Sequence, residues 1–486
     1  MDFKIPHECE AVWRLFEEIC SIPHPSGYET KLGEWVLRQA HAHHLKAERD
    51  SFGNIRIDRP ASKGYENAPL TILQAHLDMV PQAEEGEDFN FLLDPIRLQE
   101  ENGWVRSAAR TTLGSDDGIG VAAALALLFD EEFQCGPLAA LFTVEEETGL
   151  TGANNVSAEY LRGDFLLNLD SEEEGIFYVG CAGGVRLEAV FDPGSEPVDA
   201  DCGAEVVVRG LAGGHSGANI ADRRGNAVQF LNRFLAAHPE FRVSAVSGGS
   251  LDNVIPREAA AVGICGDMQA LQDAAKHFQK TLREEFNAPD SFVICIKACE
   301  APLSVWKSSR QNEILQCLST MPNGVIAFDS RFDVVRTSSN LAAWSMENGM
   351  LRVRTSQRSL ANQERKQLTG DLIARLERAG GKCTENNPYS GWEPSPESVI
   401  AGLSREVYKD MFGKVPEIKV IHAGLECGIL REKNDRADMI SFGPTLTDPH
   451  SPAEKLEIAS VPRFYSFLQA LLLKIAKKNK DFQFRV

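Results

Sequence analysis

The 486-residue sequence predicts an α/β protein: a mixed sheet flanked by helices, with a second, α+β domain inserted into it. Three observations lead there. A chain this long exceeds one simple core, so two domains are the default. The first third alternates amphipathic helical stretches with short runs that are apolar on consecutive positions, as strands covered on both faces are. From about residue 188 to 392 the texture shifts to alternating, half-exposed strands, and after 393 the first texture returns. The expected organisation is a discontinuous domain of residues 1–187 plus 393–486, and an inserted domain of residues 188–392.

The elements follow in order. EAVWRLFEEICSI and KLGEWVLRQAHAH place apolar residues three and four apart, as amphipathic helices do. PLTILQA (69–75) is a short apolar strand, and GIGVAAALALLFDEE (118–132) a mostly buried helix. GPLAALFTV (136–144) and DFLLNLD (164–170) are two more strands. In the insertion, AEVVVRGL, FRVSAVSG and EAAAVGICG alternate like half-buried strands. RRGNAVQFLNRFLAAH and DMQALQDAAKHFQKTLREEF read as helices lying on that sheet. SFVICIKACE, ENGMLRVRTSQRSL and the helix ANQERKQLTGDLIARLERAG suggest a second round of the same pattern. The stretch ESVIAGLSREVYKDMFG, a strand at 418–422 and the closing helix VPRFYSFLQALLLKIAKK complete the first domain.

A hydrophobic content of 43% and a charged content of 25% are ordinary for a globular chain. The net charge of -20 argues against nucleic acid and against anionic membrane surfaces as partners. The most apolar short stretch, VAAALALLF (121–129), is far below membrane-spanning length. MDFKIPHECEAVWRLFEEIC has acidic residues where a secretory leader carries a basic region and an apolar run. The eleven cysteines form no CxxC pair and read as reduced thiols. The expected location is the cytoplasm.

The strand ends carry the chemistry. TILQAHLDMV ends in His76 and Asp78, and TLGSDDGIG places Asp116 and Asp117 before a helix. FTVEEETGL carries Glu145, Glu146 and Glu147, and NLDSEEEG carries Asp170. PTLTDPHSP places His450 in a loop. Alone, each has a plain reading as a solvated acidic turn, a helix cap or a proline-bounded turn. Together, and mostly at strand ends where ligands of open α/β sheets collect, they favour a metal site. Imidazole nitrogen with carboxylate oxygen suits zinc, cobalt or manganese. The carboxylates outnumber what one tetrahedral zinc needs, which suggests two metals sharing a carboxylate about 3.5–4 Å apart. Two dications would also balance the three adjacent glutamates. On a regular strand Glu145 and Glu147 share a side, and Glu146 joins them only if the backbone turns.

The segments HLDMVPQ (76–82), TTLGSDDGIGVA (111–122), EEETGLTGA (145–153), NLDSEEEG (168–175), GGHSG (213–217), NVIPRE (253–258), IHAGLECG (421–428) and GPTLTDPHSP (443–452) resemble the co-catalytic zinc peptidase family. That family includes carboxypeptidase G, aminoacylase-1 and carnosinase, and the likeness points to its bacterial cytosolic Xaa-His dipeptidase branch. The resemblance runs nearly end to end. It implies that Asp116 bridges two Zn2+ ions (or Co2+ or Mn2+), with His76 and Asp170 completing one site and Glu147 and His450 the other. It implies that Glu146 is the general base acting on a metal-bridging water, that Asp78 orients His76, and that the Asp116–Asp117 peptide is cis. Glu145 departs from the threonine-like residue usual there. In the inserted domain, read as a lid and dimerisation domain, His215 would support the oxyanion. Asn253 and Arg358 would hold the substrate carboxylate, and His422 and Glu426 would read the peptide ends. The implied protein is a cytoplasmic homodimeric dipeptidase acting on small peptides with C-terminal histidine, including β-alanyl-histidine. An N-acyl-amino-acid deacylase or carboxypeptidase on the same scaffold is the alternative, and a non-catalytic metal-dependent binding protein a remote one.

Overall fold

The computed structural model describes residues 7–286 and 291–478, so the start of the N-terminal segment read above, residues 1–6, lies outside the described residues. Backbone contacts divide the chain into two units. The first is Met1–Gly180, Pro394–Val420 and Leu425–Val486; the second is Cys181–Glu393 with Ile421–Gly424.

The first unit is built on β1 (Lys46–Arg49), β2 (Ile55–Arg59), β3 (Thr71–His76), β4 (Leu138–Thr143), β5 (Phe165–Asn168), β6 (Ile176–Cys181), β7 (Glu417–Ile421) and β8 (Asp438–Ser441). Their order in the sheet is β1-β2-β4-β3-β5-β8-β6-β7. The middle strands β4, β3, β5 and β8 run parallel, and β2 and β6 join them antiparallel. Every residue of β3, β4 and β5 is buried, which is why these strands read as unbroken apolar runs. Helices α1 (Glu10–Cys20), α2 (Thr30–Ala42), α3 (Ser115–Phe129), α4 (Val399–Phe412), α5 (Glu426–Lys433) and α6 (Ser460–Ala476) belong to this unit. Helix α3 is buried almost all round, as its alanine- and leucine-rich sequence requires. A hairpin of Leu446–Thr447 and Lys455–Glu457 pairs with Trp104–Ser107 and carries His450 in its loop.

The second unit is one antiparallel sheet of nine strands covered by helices. Its path runs Val293–Cys299, Gly203–Arg209, Ala259–Ile264, Arg242–Gly248, Val334–Glu347, Met350–Ser359, Gly183–Phe191, Lys382–Tyr389, with Gly324–Asp329 paired to Val334–Glu347. Burial alternates along Ala259–Ile264, and the inward side chains meet helix Ala227–Ala237. Asn226 starts that helix by accepting the Gln229 N–H at 3.0 Å, and Asp267 starts Met268–Glu285 by accepting that of Ala270 at 2.9 Å. The segments expected to begin a second round join the same sheet: Val293–Cys299 pairs beside Gly203–Arg209. None of the eleven cysteines is in a disulfide. Among the described residues no helix is long and apolar enough to cross a membrane.

Phe230 lies at the centre of the second core, fully buried, with its ring centroid 4.9 Å from Phe286 and 5.5 Å from Phe292. Phe230→Ala should lower the stability of this unit by about 3–5 kcal/mol in urea unfolding followed by circular dichroism. A loss below about 1 kcal/mol would mean that this aromatic cluster does not hold the sheet to its helix.

Candidate metal centre

The first unit brings His76, Asp116, Glu147, Asp170 and His450 together at the carboxyl edge of its parallel strands. His76 ends β3, Glu147 follows β4, Asp170 follows β5, Asp116 stands at the start of α3, and His450 comes from the hairpin loop. Asp116 divides its oxygens between two groups. Its Oδ1 lies 3.2 Å from His76 Nε2, which is itself 3.5 Å from Asp170 Oδ1. Its Oδ2 lies 3.1 Å from His450 Nε2, which is 2.9 Å from Glu147 Oε1. His76, Asp116 and Glu147 offer ligand atoms that all lie within 4.8 Å of one another. The Asp116–Asp117 peptide is cis. Asp117 points elsewhere: it is buried and accepts the His76 backbone N–H at 3.3 Å.

These groups fit metal ions. Three carboxylates and two imidazoles packed this closely are short of positive charge. The Asp116 and Glu147 carboxylates push the His450 pKa up to about 11, so the cluster gathers a cation where it can. Burial opposes ionisation of Asp116, yet His450 and His76 hold its carboxyl well below the usual range. Glu147 Oε1 is buried without a hydrogen-bond partner although His450 Nε2 is 2.9 Å away, an approach that suits two ligands of one ion.

The three adjacent glutamates are sorted by the backbone. Glu145 has φ 51°, in the left-handed region, so the chain turns there and strand alternation ends. The N–H groups of all three glutamates are each taken by a carboxylate. Glu145 N–H donates to Glu29 Oε1 at 3.1 Å, Glu146 N–H to Asp78 Oδ1 at 2.9 Å, and Glu147 N–H to Asp78 Oδ2 at 3.2 Å. Ser26 Oγ also donates to Asp78 Oδ2, at 2.8 Å. Asp78 therefore fixes the turn that carries Glu146 and Glu147. His76 Nδ1 donates to the backbone oxygen of Asp78 at 3.0 Å, with Asp78 Oδ1 3.5 Å away. That bond keeps a proton on Nδ1, so that Nε2, beside Asp116 and Asp170, is the atom this ring would offer an ion. Burial pushes Glu146 well above the ordinary carboxylate range; Asp170, Glu426 and Glu147 push the same way and His76 opposes.

Beneath the ligands runs a buried polar chain. Glu426, at the start of α5 and fully buried, accepts from Gln74 Nε2 at 2.6 Å and Thr143 Oγ1 at 2.7 Å. Asn168 Nδ2 donates to Gln74 Oε1 at 2.6 Å, and Ser441 and Ser171 continue the chain across β5 and β8. Of the run after Asp170, Glu174 bonds Tyr408 and Arg463 at 2.9 and 2.7 Å and is structural. Ser26, Glu29, Gln74 and Asn168 were not singled out by sequence. Three lie inside helix or strand readings or next to them, and no local pattern marks a polar residue that faces a site.

The second unit holds its own cluster. His215 Nδ1 accepts N–H bonds from Gly217 and Ala218 at 3.3 and 3.1 Å. Those donors place the imidazole proton on Nε2. Burial and the nearby Arg358 charge lower the His215 pKa, which keeps the ring neutral. Arg358, nearly buried, donates from Nη1 to Tyr389 Oη at 2.9 Å and keeps a buried Nε without a partner. His422 Nε2 lies 2.7 Å from Ser338 Oγ, and the Asn253 carbonyl accepts the Ser216 N–H at 2.7 Å. Sequence-predicted His215, Asn253, Arg358 and His422 thus share one region of this unit, while Glu426 lies in the floor of the other.

Fold and ligand set together define the class, a hydrolase whose candidate metal ligands crown the parallel edge of a mixed sheet. The sequence profile of Peptidase family M20/M25/M40 matches residues 72–474, and the chain belongs to that family. It is 38% identical to the cytosol non-specific dipeptidase of Escherichia coli (strain K12), over 96% of this chain and 98% of that one. It superposes on the crystal structure of aminoacylhistidine dipeptidase from Vibrio alginolyticus with a TM-score of 0.91 and 38% identity, over 98% of this chain and 99% of that one. A tripeptidase from Staphylococcus aureus shares the fold alone, with a TM-score of 0.60 at 15% identity, over 98% of this chain and 100% of that one.

Burial, helped by the Arg358 charge, lowers the His422 pKa from 6.5 to about 3. Between those values the unfolded chain binds a proton that the folded chain does not. Stability should therefore fall as pH drops below about 6.5, by up to about 1.4 kcal/mol per pH unit from this residue, with no contribution above it. Urea unfolding between pH 7 and 4.5 should show a shallower acid loss for His422→Gln. Equal slopes would mean that His422 is protonated in the folded state.

Proposed function

We propose that this chain is a cytoplasmic, metal-dependent dipeptidase hydrolysing dipeptides with C-terminal histidine, β-alanyl-histidine among them. The observation that carries the reading is the division of Asp116 between two ligand groups, taken with the end-to-end similarity to two dipeptidases. His76 and Asp170 would hold one ion, Glu147 and His450 the other, and Asp116 both; Zn2+ is proposed, with Co2+ or Mn2+ as substitutes. Such ions, when bound, polarise a carbonyl and make water more acidic.

The protein's own groups divide the remaining work. Glu146 takes a proton from the attacking water and returns it to the leaving amine. Its backbone N–H is tied to Asp78, so the carboxylate swings from a fixed point. His215, neutral with its proton on Nε2, is the donor proposed for the developing oxyanion. Arg358, with its planar fork and unpaired Nε, is proposed to take the substrate carboxylate together with Asn253. His422 is proposed to contact a peptide end. Glu426, fully buried and already accepting two hydrogen bonds, is assigned to the floor of the site rather than to direct contact. Cytoplasmic location is supported by the cytosolic name of the Escherichia coli relative.

Histidine release from β-alanyl-histidine should be abolished by chelator and restored by Zn2+, with about two ions per chain. Glu146→Ala should lower kcat by about 10²–10⁴ while keeping its metal. Near wild-type turnover would remove Glu146 as the base. Metal without histidine release, but with cleavage of N-acyl amino acids or longer peptides, would move the assignment to a deacylase or carboxypeptidase. Metal without any turnover would favour the binding protein.

The homodimer is proposed from strand Gly324–Asp329. It pairs only with Val334–Glu347 among the described residues, and exposes Val325, Ile326 and Phe328 by 40, 43 and 51%. An edge of this kind invites another chain. Light scattering should give a dimer mass, and Phe328→Lys should shift it toward monomer. A monomeric wild type would discard this surface.

A further inference from the structure

Glu454 is four residues beyond His450 and 98% removed from solvent, its side chain enclosed under the segment that carries Asp116. Five donors converge on its carboxylate. Oε2 accepts the backbone N–H of Leu113 at 2.7 Å and of Gly114 at 3.2 Å. Oε1 accepts the Ser115 N–H at 2.8 Å, the Ser115 hydroxyl at 2.6 Å and, at 3.4 Å, the N–H of Asp116 itself. Four of these donors are backbone N–H groups of the segment leading into α3, which is non-helical at Asp116 and Asp117, so each buried N–H there needs an acceptor from outside the helix. At its other end Glu454 is bound to the His450 loop. Its N–H donates to Ser451 O at 3.1 Å, and Ser451 Oγ donates to Asp448 O at 2.8 Å. Asp448 and His450 both take left-handed φ, 56° and 59°, so the loop is a tight, fully specified turn. Asp116 and His450 stand 334 residues apart in sequence, yet Oδ2 and Nε2 are 3.1 Å apart.

We propose that Glu454 is the positioning residue that sets this separation. Its carboxylate staples the Asp116 segment to the His450 loop, so that the shared carboxylate and the imidazole meet one ion at the required distance. With both oxygens taken by these donors, Glu454 would touch neither ion nor substrate. A neutral amide of the same shape would turn an –NH2 toward N–H groups that need an acceptor, and the segment would shift or lose hydrogen bonds. The proposal rests on the metal reading given above.

The test is Zn2+ titration of the metal-free full-length protein by calorimetry, on wild type and Glu454→Gln, alongside kcat and KM. One of the two Zn2+ events should weaken about 10–100-fold in the variant, and kcat should fall by a similar factor at limiting Zn2+. KM should change less than about twofold, and excess Zn2+ should recover part of kcat. A purely structural role would lower the unfolding midpoint but leave both Zn2+ affinities of the folded protein unchanged, which would overturn the proposal. If Glu454→Gln does not fold, Ser115→Ala removes one of the five donors and should weaken the same Zn2+ event by a smaller factor; unchanged affinity would overturn the proposal. Wild-type protein that binds no Zn2+ would overturn the metal reading and this proposal together, whereas two normal ions in the variant would overturn this proposal alone.

Discussion

The first unit depends on one electrostatic constraint: several carboxylates must stand within a few ångströms of one another at the end of a buried sheet. Left alone they repel, and burial raises the cost. The protein answers by giving each a defined counterpart. Asp116 is placed between two imidazoles, one on each oxygen, and His450 between Asp116 and Glu147. The arrangement would tolerate its own charge best with cations drawn into it, which marks the cluster as a candidate metal centre rather than an acidic surface.

A second use of carboxylate follows from the first. Loops that point ligands inward cannot bury their N–H groups in a helix or sheet, and an unpaired buried N–H is costly. Here Glu29 and Asp78 accept the N–H groups of the glutamate turn, and the polar chain from Glu426 through Gln74 and Asn168 to Ser441 crosses the strands just below the ligands. The acidic excess of the sequence is therefore partly internal scaffolding. Negative side chains hold the backbone still, and the proposed ions would hold the negative side chains together.

This explains which parts were legible in the sequence. Strands β3, β4 and β5 were, because burial on both faces leaves an unbroken apolar run. The positions of His76, Glu147 and Asp170 were, because they end or closely follow those runs; Asp116 and His450, on a helix start and in a hairpin loop, join them only in the fold. Strand Val334–Glu347 was not. Its middle reads TSSN, polar and loop-like, yet all four residues are buried. Thr337 bonds Ser359 and Glu364, Ser338 meets His422, and Asn340 reaches the Val254 carbonyl. Those partners lie in segments distant along the chain, so no window of sequence contains the reason. Glu426 illustrates the same limit. Its motif marks it as special, but only the contacts with Gln74 and Thr143, each more than 280 residues away, show that it faces the sheet.

The separation of duties proposed for Glu145, Glu146 and Glu147 would need little backbone change. A strand continued through these residues would put Glu146 on the face opposite its neighbours. The left-handed turn at Glu145 breaks that alternation, and Asp78 then grips the next two N–H groups with its two oxygens. One residue spends its conformation on the turn, which leaves the following two free to differ in role. The second unit solves an analogous problem by burial and charge. Burial, with Arg358 nearby, disfavours the imidazolium of His215, and two backbone N–H bonds to Nδ1 leave the neutral ring with its proton on Nε2. In both units the backbone decides which atom of a common side chain is presented, and the chemistry follows from that choice.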